Sequence, residues 1–282
     1  MSYRIRAAAP ADAASLLAIY APYVTDTCVS FELEVPTVEE FERRIQATLD
    51  RAAYLVAEDS DSGTVAGYAY NGSFRSRPAY DWASEISIYL ASEHQGHGLG
   101  SALLDTLEEL MRLQGIRMSE ACITSSNTGS IAFHERHGYR VCGEHTACGF
   151  KLGQWLSVTW MEKQLLPLDG TPEPPHGLSA AEIEPVLAAA NARLRTKRRF
   201  ALGRDSDTHG AIGRHLDSRS VLGRVWYAQG AECVQMSPEN EMNVQKPPDN
   251  TGARCGAHLD AEHASLLSPP RRNAPKRIVT FD

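Results

Sequence analysis

The chain has 282 residues, 43% hydrophobic, with 28 Lys+Arg against 35 Asp+Glu and a formal net charge of −7. That length holds one large domain or a domain with an appendage. The acidic balance argues against nucleic acid as the main partner, because phosphate neutralisation needs clustered Lys and Arg. The six cysteines, Cys28, Cys122, Cys142, Cys148, Cys233 and Cys255, form no Cys-x-x-Cys pair and have no spaced His partners. No metal site and no disulfide scaffold is expected from them. The start, Met-Ser-Tyr-Arg-Ile-Arg, lacks an apolar signal core, and no run of about 18 apolar residues occurs. A soluble, cytoplasmic protein with no membrane partner is the expectation.

In chain order, Tyr3 to Ala7 reads as a strand, followed by a helix through Leu16, Leu17, Ile19 and Tyr20. Thr37-Val38-Glu39-Glu40 is a capping box that opens a second helix through Phe41, Ile45 and Leu49. Ala53 to Glu58 and Val65 to Tyr70 read as strands joined by Asp59-Ser60-Asp61-Ser62-Gly63, a hairpin. Glu85-Ile86-Ser87-Ile88-Tyr89-Leu90 alternates with period two, so Ile86, Ile88 and Leu90 share one face and Glu85, Ser87 and Tyr89 the other. Leu99, Leu103, Leu104, Leu107, Leu110 and Met111 then recur at helical spacing. A strand from Ile116 to Thr124, a helix from Asn127, and two strands around Tyr139 and Val158 complete the order βααβββαβαββ. This is α+β: a mixed, mostly antiparallel open sheet flanked by helices.

Beyond Leu166 the composition changes. Residues 1–166 hold 13 Lys+Arg against 21 Asp+Glu, whereas residues 167–282 hold 15 against 14. Pro167 to Gly177 is a proline-rich linker. Ser179 to Leu194 permits a short helix, in which Pro185 fits only at the first-turn position. From Arg195 onward no period persists, and a low-order tail is expected. Arg195-Thr196-Lys197-Arg198-Arg199 reads either as a solvated helix end or as a basic localisation patch. The expected division is a folded domain over 1–166 and an appendage over 167–282.

Chemistry concentrates in two segments. Gln95-Gly96-His97-Gly98-Leu99-Gly100, between the Glu85 strand and the Leu-rich helix, is neither a Walker loop nor a dinucleotide fingerprint. Bare backbone at a helix N-terminus nevertheless suits a pyrophosphate. Further on, Asn127, Ser130 and His134 share one helical stripe, with Asn127 at the N-cap, and Gly138-Tyr139 follows. Together these segments resemble the acyl-CoA-binding core of the GCN5-related N-acetyltransferase superfamily. Phe74 to Glu85, His134-Glu135 near Gly-Tyr, and Gly149 to Trp155 narrow the resemblance to the phosphinothricin N-acetyltransferase family, which also acetylates methionine sulfone and methionine sulfoximine. The match runs from about Arg4 to Leu165.

That resemblance implies acetyl-CoA as acetyl donor, held by Gln95, Gly96, His97, Gly98, Leu99, Gly100 and Ser101, with Leu90, Asn127 and Ser130 contributing. It places the catalytic glutamate at Glu85 and an active histidine at His134, where many superfamily members carry tyrosine. A carboxylate off the apolar face of a central strand is a base if buried, or else an ion-pair partner of Arg75 or Arg77. Arg75 and Arg77 offer cations for an amino-acid carboxylate, with Phe31 and Tyr80 completing the pocket. Arg75 stands where the family often has lysine, and Phe74 replaces its usual tryptophan. The expected activity is N-acetylation of the α-amino group of a small amino-acid analogue, by direct transfer in a ternary complex. Peptide or protein N-acetylation and non-catalytic acyl-CoA binding are the alternatives. A homodimer built near Gly153-Gln154-Trp155 is implied as well.

Overall fold

The computed structural model describes residues 2–206. Seven strands form one sheet in the order β1-β2-β3-β4-β5-β7-β6: β1 Tyr3–Ala7, β2 Tyr54–Asp59, β3 Val65–Ser73, β4 Ala83–Leu90, β5 Met118–Thr124, β6 Arg140–Lys151 and β7 Gln154–Gln164. β1 to β4 are antiparallel neighbours, β4 and β5 are parallel, and β7 lies antiparallel between β5 and β6. The expected mixed, mostly antiparallel open sheet is what the chain forms.

Helices α1 Ala13–Thr25 and α2 Val38–Leu49 cover one face, α3 Leu99–Gln114 and α4 Thr128–Arg136 the other. The α3 face carries Leu99, Leu103, Leu104, Leu107, Leu110 and Met111, all essentially inaccessible, against Ile86 and partly buried Ile88 and Leu90. The opposite core is aromatic, with Tyr20, Phe41, Tyr54, Tyr68 and Tyr89 in ring contact. Strand alternation at β4 sorts its residues between these two cores as the period-two pattern requires. At α2 only half of the capping box closes. The Thr37 hydroxyl accepts from the Glu40 amide at 3.2 Å, but the Glu40 carboxylate turns outward to Arg44 at 2.9 Å.

The appendage differs from expectation. A fifth helix, α5, spans Ala180–Ser206 and begins well before Pro185. Ser179 caps it, with its amide and hydroxyl donating to the Glu182 carboxylate at 2.9 and 2.7 Å. Pro185 thus falls past the first turn, where it removes the amide that would serve the Ala181 carbonyl. Val186 and Ala190 are buried against α3 and the sheet, so the packed body runs past residue 166. The linker is pinned too: the Trp82 indole donates to the Glu173 carbonyl at 2.9 Å and the His176 amide to the Gln114 carbonyl at 3.1 Å. The low-order tail expected from Arg195 onward is instead helical as far as Ser206, because α5 continues through it, and the rest of that tail, 207–282 with Cys233 and Cys255, lies outside the described residues. The Arg195–Arg199 stretch is helical backbone within α5, and Arg195 is exposed.

Asn191 makes the decisive contact of α5. Its side-chain oxygen accepts from the Ile5 amide at 2.7 Å and its NH₂ donates to the Ile5 carbonyl at 2.8 Å. One side-chain amide thereby supplies both bonds that a neighbouring strand would give β1 at that rung. Asn191→Ala leaves both Ile5 groups without this partner and is expected to cost about 1–3 kcal/mol, read as a lower urea midpoint at unchanged m-value. Ending the chain before α5 is expected to lower the midpoint further, because Val186 and its core contacts go with it.

Candidate active site

Glu85 lies three residues into β4, off the face that carries Ile86 and Ile88. The start of that strand is fixed by a buried polar network. Asn71 on β3 donates to the Ser84 hydroxyl at 3.0 Å and to the Gln114 side chain at 3.3 Å, and Ser84 donates to the Gly72 carbonyl at 2.7 Å. Burial pushes the Glu85 carboxyl above the usual carboxylate range, and the charge of Arg75 pulls it partly back. A carboxylate kept basic by its surroundings, next to one cation, is suited to accept a proton.

The arginine pair divides. The Arg75 guanidinium stacks over Phe74 at 4.3 Å and over Trp160 at 5.1 Å, and donates to the Phe74 carbonyl. No Glu85 ion pair forms with either arginine among the described residues, so Arg75 acts on Glu85 through space. Arg77 is exposed at the start of a short 3-10 turn, Pro78–Tyr80. Tyr80 touches Phe74 edge-on at 5.9 Å but lines a separate cleft with Arg117, Leu168 and Asp169. Phe31 packs over Gly149, where any Cβ would collide with its ring.

The glycine loop forms as a bare cradle. Gly98 is the N-cap of α3 with φ +75, a left-handed conformation that disfavours other residues, and a Cβ built there meets nothing within 4 Å. The first-turn amides of α3, including Gly100 and Ser101, have no intrahelical partners, and Leu99 is buried beneath them. Gln95 donates to the Tyr23 hydroxyl at 3.1 Å, and Tyr23 donates to the Leu90 carbonyl at 2.6 Å. His97 donates through Nδ1 to the Gln95 carbonyl at 2.7 Å. The Leu90 carbonyl therefore already has a partner within the chain, while its side chain lies beside Gly100 and Phe133.

Between the loop and α4 the sheet opens. Parallel pairing of β4 with β5 covers only Ala83 to Glu85 against Met118 to Glu120. Past those residues one edge of each strand has no strand partner among the described residues. Such an edge suits an extended, amide-bearing ligand.

At α4 the stripe holds. The Asn127 side chain accepts from the Ser130 amide at 3.2 Å, and His134 Nδ1 lies 2.8 Å from the Ser130 carbonyl. A carbonyl only accepts, so the proton sits on Nδ1 and Nε2 keeps its lone pair. Burial holds the His134 imidazole below its usual range, hence neutral. Its ring meets Tyr139 edge-on at 5.1 Å, and Tyr139 bonds Ser119 at 2.6 Å, on the face of β5 opposite Glu120. His134 and Glu85 thus sit on opposite faces of the sheet. Gly138, φ +86, closes α4: its amide reaches the Glu135 carbonyl and the Tyr139 amide the His134 carbonyl, both at 3.0 Å.

Sequence reasoning missed three residues. Tyr23 gave no signal, since its contacts are 67 and 72 positions away. Trp160 shares a rung with Cys122, and its buried indole N–H has no hydrogen-bond partner among the described residues. Glu120 was legible as the one carboxylate within the apolar strand β5.

Comparison with known proteins identifies the family. Residues 5–160 match a family model described as an acetyltransferase (GNAT) domain. The chain is 37% identical over 159 residues to phosphinothricin N-acetyltransferase of Streptomyces viridochromogenes, covering 56% of this chain and 86% of the relative. It is 36% identical over 174 residues to the L-methionine sulfoximine/L-methionine sulfone acetyltransferase of Pseudomonas aeruginosa, covering 61% of this chain and 100% of that one. A phosphinothricin acetyltransferase from Sinorhizobium meliloti, solved in complex with acetyl-CoA, superposes with a TM-score of 0.58 at 34% identity, over 64% of this chain and 97% of that one. With the matched model spanning more than half its length, the chain belongs to the GNAT family of acetyltransferases.

Proposed function

We propose that this protein transfers the acetyl group of acetyl-CoA to the α-amino group of a small amino-acid analogue of the phosphinothricin, methionine sulfone or methionine sulfoximine type, by direct transfer in a ternary complex. The observation that carries the reading is the half-buried Glu85 beside Arg75, at the point where β4 and β5 part. The names of the two relatives support the substrate class.

The chain fits the donor. The open Gly98 cradle and the first-turn amides of α3 would take the pyrophosphate, and the parted β4 and β5 edges the amide-bearing arm. Bound acetyl-CoA supplies the thioester carbonyl. Glu85 accepts one proton from the substrate ammonium, leaving a nucleophilic amine. The nitrogen's second proton leaves with the departing sulfur, so no covalent enzyme intermediate is needed. Neutral His134, with its Nε2 lone pair, suits proton acceptance and not donation. Arg75 is the better placed cation for the substrate's anionic groups, and exposed Arg77 a secondary one.

Glu85→Gln is expected to lower kcat/KM for methionine sulfone by about 10²–10⁴, with a deficit that shrinks as pH rises and free amine accumulates. Because a raised carboxyl must ionise to act, wild-type kcat/KM falls as pH drops through that raised range. Wild-type rates for this variant across pH would remove Glu85 from the mechanism. Acetylation of simple peptides but of neither small compound would favour the peptide reading.

Gly98→Val tests the cradle. A β-branched residue at positive φ costs about 1–3 kcal/mol of stability and fills the anion approach. Loss of acetyl-CoA binding by calorimetry in a still-folded variant is the expected result, and unchanged affinity would refute the assignment.

We also propose a homodimer through the β6–β7 edge, where Val141, Phe150, Leu152 and Trp155 are exposed, Trp155 to 69%. Trp155→Asp is expected to shift sedimentation from dimer to monomer. A wild-type monomer at micromolar concentration would count against it.

A further inference from the structure

Across the face that bears Glu85, the register sets three carboxylates in one row. Glu85 on β4 is the direct partner of Glu120 on β5, Glu120 of Glu162 on β7, and Glu162 of Arg140 on β6. Residues directly opposite on neighbouring strands project to the same side, and like charges so placed repel. The two ends of the row are compensated. Glu162 forms an ion pair with Arg140, and the charge of Arg75 acts on both Glu85 and Glu120. The middle carboxylate feels those charges but is paired with neither cation. Glu120 is only 7% exposed and forms no ion pair among the described residues. The nearest ligand-type atoms of Glu120, Cys142 and Glu162 lie within 4.8 Å of one another. Neither packing nor pairing accounts for a carboxylate at this rung.

We propose that Glu120 is a positioning residue for the acetyl transfer: Glu120 and Glu85 form one coupled carboxyl pair, and the charge of Glu120 sets how strongly Glu85 accepts the substrate's proton. This rests on the reading of Glu85 as the base. The groups facing Glu120 are Glu85 from β4, Glu162 from β7, Arg140 and Cys142 from β6, and Arg75 from the β3–β4 connection. Cys122 on its own strand and Tyr70 on β3 lie beside Glu85.

Burial, then the Glu162 and Glu85 charges, push the Glu120 carboxyl up to about 7. Below that pH the pair shares one proton and carries a single negative charge. Above it both are anions, and repulsion raises the proton affinity of Glu85. One ammonium proton then passes to a Glu85 oxygen, the amine keeps its lone pair, and the pair is left with one shared proton. Its loss to water at the exposed β6 rim restores the dianion. Such a pair also favours a substrate that arrives as a cation at nitrogen.

The test uses the full chain. For wild type, kcat/KM with L-methionine sulfone from about pH 5.5 to about pH 9 is expected to inflect near neutrality. Glu120→Gln is expected to move that midpoint to lower pH by about one unit or more and to lower the plateau about tenfold. Glu120→Asp should restore the inflection, and acetyl-CoA affinity should not change in either variant. A lower plateau with an unmoved midpoint would mark a merely structural role and overturn the proposal. A second arm needs no substrate: ¹³C-carboxyl NMR of glutamate-labelled protein. One glutamate is expected to titrate near neutrality, and Glu85→Gln should move it to lower pH because the neighbouring anion is gone. No such titration, or one unmoved by Glu85→Gln, would overturn the pair. If neither small amino acid is acetylated by wild type, the substrate reading fails, and the NMR arm still decides the pair.

Discussion

The short parallel pairing of β4 with β5 is the constraint on which the rest of the site depends. It ends at Glu85 and Glu120. Beyond it the two strands are held only by their outer neighbours, β3 and β7. A sheet that separates in its middle would be costly without helices packed against it. Here α3 lies under β4, starting directly from the glycine loop, and α4 starts directly from β5. The same break therefore leaves an unpaired edge on each strand, is followed along the chain by a helix from each, and puts the last paired rung at its mouth. Glu85 occupies that rung, so it is held by regular hydrogen bonding on one side and borders open space on the other.

Much of this was legible because it is local. Period-two alternation placed Glu85 and Ile86 on opposite faces, and α3 followed from its leucine spacing. Asn127 caps α4, and Gly138-Tyr139 ends it, through bonds that span three to five residues. What was illegible is nonlocal. Strand order β5-β7-β6 brings Glu162 and Arg140 to Glu120 from residues far along the chain. No spacing rule announces that Arg75, and not Arg77, would stack on Trp160. Pro185 misled for a physical reason: a proline past the first turn is disfavoured in isolation, but burial of Val186 and Ala190 outweighs the lost bond. Asn191 was silent because its partner lies 186 positions earlier.

Electrostatics separates the two faces at the break. The α3 side buries Glu108 with cations on it, Lys163 at 2.6 Å and Arg112 at 3.1 Å, and there the neutral His134 packs edge-on to Tyr139. The opposite side leaves carboxylates in excess, with Arg75 held back by two aromatic rings. An anionic donor is matched by the amide-rich side, and a positively charged amine by the acidic one, in the reaction proposed above.

Asn191 has a consequence for assembly. A sheet of this kind has two terminal strands, each a template on which another chain's backbone can add. With Ile5 already satisfied by a side-chain amide and α5 lying alongside β1, addition there is blocked. The other terminal strand, β6, has no outer strand partner among the described residues, and Phe150 on it and Trp155 on β7 are exposed. Association through the open end alone, as in the dimer proposed above, would close as a pair and could not propagate into a fibre.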